Sequence, residues 1–97
     1  METKAVDGLK RLCVQLGEEK LIPTIDSFVQ LNKEIESKKG REFTELSILS
    51  FIEGILIILK QKYPRERKVV ELLNEVQHQR MQLEIKFRKP RTPYIER

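Results

Sequence analysis

Between Leu46 and Leu59 this 97-residue chain places ten Leu, Ile or Phe residues in fourteen positions, far more than one face of a simple amphipathic element can hold. Ser50, Glu53 and Gly54 interrupt the run from Ile48 to Leu59, which also falls short of the ~20 apolar residues needed to span a bilayer. Read as a helix from Thr44 to about Gln61, it is apolar around most of its circumference, and such a helix is buried on most sides. In a chain this short it is either the central helix of a bundle or part of a dimer interface. Thr44 reads as its N-cap with Glu45 in the first turn, and Phe43 and Ile48 have the spacing of a hydrophobic staple.

The flanking segments read as helices that enclose it. Ala5, Val6, Leu9, Leu12, Cys13 and Leu16 recur at helical spacing and predict a helix over Lys4–Leu16, ended by Gly17. A second helix is expected from Pro23, with Ile22, Ile25, Phe28, Val29 and Ile35 on its apolar face and a loop over Ser37–Arg41. Pro64 closes the third helix and opens a fourth, lined by Val69, Leu72, Leu73 and Val76. From Met81 to Phe87 the chain alternates strictly between apolar and polar residues, the signature of a half-buried strand. No glycine or proline separates it from the fourth helix, so an unbroken helix is the preferred reading, and a short C-terminal β-strand at 81–88 is the alternative. The expected fold is all-α, a four-helix antiparallel bundle. Residues 1–89 form one helical domain, and 90–97 a basic tail containing Pro90 and Pro93.

Composition narrows the function classes. With 39% hydrophobic and 35% charged residues, the chain is too apolar for disorder and too polar for a membrane protein. One cysteine and one histidine allow neither an internal disulfide nor a zinc site of the usual ligands within one chain. Cys13 lies on an apolar helix face and His78 away from one, with no base, acid or nucleophile spaced to activate either. No catalytic, cofactor-binding or metal residue is nominated, and no small-molecule substrate is expected. The polar N-terminal segment does not resemble a signal sequence, so a cytoplasmic protein is expected. In size, charge and helical content the chain resembles, as a class, the small helical-bundle immunity proteins of bacteria that make peptide antibiotics.

Two surfaces are candidates for binding. Residues 1–59 carry 8 Lys/Arg against 10 Asp/Glu, whereas 60–97 carry 11 against 5. Lys60, Lys62, Arg65, Arg67 and Lys68 flank the turn before the fourth helix, and Lys86, Arg88, Lys89 and Arg91 surround the start of the tail. Together they form a candidate anion or nucleic-acid surface. Ile57, Met81, Leu83, Ile85 and Phe87 are surplus apolar residues and form a candidate oligomer interface. Ser47, Ser50 and Gly54 share one side of the third helix and would admit a neighbouring helix closely. Asn32, amid an apolar face, either fixes register in an assembly or reaches water. The expected function is non-enzymatic protein–protein interaction with self-association, most simply as a homodimer. The alternative is a basic nucleic-acid-binding accessory or regulatory protein.

Overall fold

The structure is a computed structural model that describes residues 4–88, and among these it is entirely helical. Helix α1 spans Lys4–Leu16, α2 Ile22–Lys39, α3 Arg41–Lys62 and α4 Arg67–Arg88, with a 3-10 turn at Glu19–Leu21 between the first two. No helix among the described residues is long and apolar enough to cross a membrane.

Helix α1 ends as its sequence predicts. Gly17 takes a positive φ of 75°, the Glu18 N–H reaches the Cys13 carbonyl at 2.7 Å and the Gly17 N–H reaches Val14 at 3.3 Å. This paired closure satisfies carbonyls that the helix end would otherwise leave bare. The α2–α3 boundary differs from the expected loop over Ser37–Arg41. Helix α2 continues to Lys39, and Gly40 alone makes the turn, at φ 97° and ψ 154°. Its N–H closes α2 on Glu36 at 2.8 Å, and its carbonyl accepts the first bond of α3 from the Thr44 N–H at 3.2 Å. Lys38 and Lys39 belong to the solvated last turn of α2, where cations suit the helix dipole.

That one-residue turn also moves the start of α3. Thr44 is not the N-cap: it is fully buried within the helix, and its hydroxyl donates to the Arg41 carbonyl at 3.0 Å. Phe43 is exposed and forms no staple at a helix start; the Lys39 ammonium lies 5.8 Å from its ring centre. Pro64 does not open α4 either. Residues 63–66 form a turn, with the Glu66 N–H bonded to Tyr63 at 3.0 Å, and α4 starts at Arg67. The alternating segment from Met81 lies inside α4. Helical rotation splits its apolar residues, so Leu83 packs against the core while Met81 and Ile85 face solvent.

The core joins Leu9, Leu12 and Cys13 of α1, Ile25 of α2, Ile48, Ile52, Leu56 and Leu59 of α3, and Val69, Leu73 and Val76 of α4. Asn32 is buried beside it and does not reach water; its amide donates to the Phe28 carbonyl one turn back, at 2.9 Å. Helix α3 lies between α2 and α4, which have no Cα atoms within 8 Å of one another, and α1 touches all three. The molecule is a slab of 51 × 30 × 17 Å with a radius of gyration of 15.1 Å, above the ~13 Å usual for a domain of this length.

Candidate functional site

The two sides of this slab differ. On one side α1 covers the other helices: Lys10 pairs with Asp26 of α2, and Gly8 packs beside Leu72 of α4. Those contacts mark the directions in which α2 and α4 face α1. At about 100° per residue, Leu31 lies ~140° around α2 from Asp26, and Met81 lies ~180° around α4 from Leu72. Both are exposed. Helix α3 repeats the division, with Ile52, Leu56 and Leu59 in the core and Phe43, Ile57 and Ile58 exposed. Apart from Val14 on α1, every large apolar side chain exposed among the described residues therefore turns away from α1.

The predicted interface residues divide on this geometry. Ile57, Met81 and Ile85 are exposed, at 41%, 53% and 64%. Leu83 is not available, because it packs against the core. The side chain of Phe87 lies outside the described residues, as does that of Arg88. Phe43, Ile58 and Leu31 belong to the face but were not among the residues predicted for it. Ile57 and Ile58 carry a legible signal, since neighbours on a helix point ~100° apart and a core already holding Leu56 and Leu59 cannot also take both.

Small residues run along the middle of the exposed side of α3. Ser50 and Gly54 are exposed, Ser47 is half-buried, and a Cβ added at Gly54 meets nothing within 4 Å. No neighbour among the described residues therefore requires glycine there. Along the α3–α4 seam Glu53 holds Arg80 and accepts a hydrogen bond from Gln77 at 3.0 Å, while Arg80 also pairs with Glu84 at 3.0 Å. The hydrogen bond to Glu53 raises the pKa of the Arg80 guanidinium, and the seam is internally paired.

The basic residues do not form one surface. Lys60, Arg65, Arg67 and Lys68 are exposed around the turn at 63–66, with Arg65 in the turn itself and not in a first helical turn. Lys62 is engaged: its ammonium and the Tyr63 hydroxyl both reach Glu18 Oε2 at 2.6 Å, tying the end of α3 to the end of α1. These two hydrogen bonds lower the Glu18 pKa, and the bond from Tyr63 raises the phenol. Lys86 pairs with Glu42 at 3.0 Å and lies ~28 Å along α4 from Arg67. Lys89 and Arg91, with the tail over 90–97, lie outside the described residues. Cys13 is fully buried, and burial raises its thiol pKa.

A family model described as a protein of unknown function (DUF3216) matches residues 6–97. The chain is also similar to a solved structure, the crystal structure of a singleton protein PF1176 from P. furiosus. The two are 42% identical, with 87% of this chain and 91% of that chain covered and a TM-score of 0.79. No curated protein matches the chain.

Proposed function

We propose that this chain, which belongs to the DUF3216 family of proteins of unknown function, acts without catalysis as a helical interaction module that pairs with a second copy of itself. The observation that carries this reading is the gathering of Ile57, Met81 and Ile85, with Phe43, Ile58 and Leu31, on the side away from α1. Scattered exposed apolar residues need no explanation, but a group gathered on one side supports an interaction surface. Burying such side chains contributes roughly 1.5–3 kcal/mol for each one fully removed from water, before association costs.

An antiparallel arrangement of neighbouring helices belongs to the same reading. It is supported by Lys10 with Asp26, by the Phe28–Phe51 stack at 4.1 Å, and by Glu42 and Glu53 of α3 pairing with Lys86 and Arg80 of α4 in reverse order. A cytoplasmic setting is part of it as well.

A dimer that dissociates on unfolding melts at a temperature that depends on concentration. The wild-type chain is therefore expected to show a melting midpoint that rises with protein concentration across the micromolar range. A midpoint independent of concentration removes self-association from the reading.

A second reading, nucleic-acid binding, draws on Lys60, Arg65, Arg67 and Lys68, which crowd one end of the slab with exposed cations. Phosphate contacts make affinity fall steeply with salt. Titration with DNA and RNA at low and moderate salt tests it on the wild type and on an Arg65→Ala, Arg67→Ala variant. No binding at low salt eliminates it.

A further inference from the structure

The geometry points to a specific pairing: the α2–α3–α4 side away from α1 seats the same side of a second copy, with the two α3 helices crossing at Gly54. This rests on the self-association proposed above and names the surface that performs it. Area is the first argument. The broad side of the slab measures 51 × 30 Å, and a standard interface takes ~800 Å² from each partner, roughly half of that rectangle. Stacking two such slabs covers the side of each that faces away from α1 and leaves both α1 helices outermost.

Charge gives the second argument. The exposed stripe of α3 from Phe43 through Ser50, Gly54 and Ile57 to Ile58 carries no charged residue, in a chain that is 35% charged. On the α3–α4 seam beside it, Glu53 and Arg80 are largely buried and already satisfy each other. Interface centres are depleted of charge in this way, whereas a nucleic-acid surface is rich in cations.

Shape gives the third and selects a second copy as the occupant. Glycine inside a helix is unfavourable, and Gly54 faces open space among the described residues. An antiparallel crossing centred on Gly54 sets the two glycines against each other at the axis. It also brings Ile58 of each copy over Ser50 of the other. The stripe is thus complementary to itself, as a two-fold interface requires.

Cysteine cross-linking combined with sedimentation tests the pairing on the full chain. Gly54→Cys places a thiol at the axis, in space that is open among the described residues of one chain, and Val14→Cys places one on the α1 side. Under mild oxidation Gly54→Cys is expected to form a covalent dimer and Val14→Cys is not. Ile58→Asp, with helical content unchanged by circular dichroism, is expected to raise the dissociation constant ~10-fold or more. A dimeric wild type in which Gly54→Cys fails to cross-link, or Ile58→Asp leaves the constant unchanged, overturns this surface while self-association stands. A monomeric wild type overturns both. In that case, protection of the Gly54→Cys thiol from alkylation that is lost on removing residues 89–97 would identify that segment as the occupant instead.

Discussion

Gly40 joins two helices of 18 and 22 residues by itself, at φ 97° and ψ 154°, a backbone region that residues with side chains rarely enter. An added Cβ would meet nothing within 4 Å, so the cost of a side chain there lies in the backbone alone. Gly40→Ala is expected to lower stability by about 1–3 kcal/mol in urea unfolding, and an unchanged midpoint would contradict that assignment. The sequence marks a break here but not its size, because polar lysines read equally well as a loop or as the solvated end of a helix. Glu18 makes a different prediction. Its two hydrogen bonds, from Lys62 and Tyr63, lower its pKa in the folded state. The stabilisation from this group is present above the pKa of the unfolded chain and is lost as pH falls through the lower folded value. Glu18→Gln should therefore be less stable than wild type near neutral pH, with the gap closing below the ordinary carboxylate range. A gap that persists at low pH would assign the effect to something other than this carboxylate. The Glu18–Tyr63 contact spans 45 positions in sequence, and no local pattern reveals it.

Among the elements, α1 was legible from end to end, because an apolar stripe and a terminal glycine agree on its limits. Helix α3 was legible in kind but not at its start, since Thr44 suits a cap as well as a buried position bonded to its own helix. Helix α4 shows why an alternating pattern misleads. Met81, Leu83 and Ile85 suit a strand, yet with no break after Val76 the helix simply continues and distributes them to opposite sides. What holds its outer half to α3 is partly ionic. Glu53 receives Arg80 and Gln77 at a seam where the side chains of Glu53 and Arg80 are only 14% and 22% exposed. Glu53→Ala leaves Arg80 with Glu84 alone and is expected to cost about 1–3 kcal/mol, as for a lost hydrogen bond to a charged group. Equal stability of variant and wild type would show that the seam contributes nothing.

At the scale of the whole molecule, the run from Leu46 to Leu59 explains the architecture. One helix apolar on most sides needs neighbours all round, and the described residues supply α2, α4 and a shorter α1, which among themselves leave one side uncovered. The surplus was readable from the sequence; its concentration on the side opposite α1 was not, because that depends on where α1 packs. Sedimentation equilibrium of the wild-type chain at micromolar concentration tests the central claim most directly. Self-pairing predicts a molar mass approaching twice the 11.5 kDa of one chain, falling towards 11.5 kDa on dilution, whereas a mass of 11.5 kDa at every concentration would contradict it.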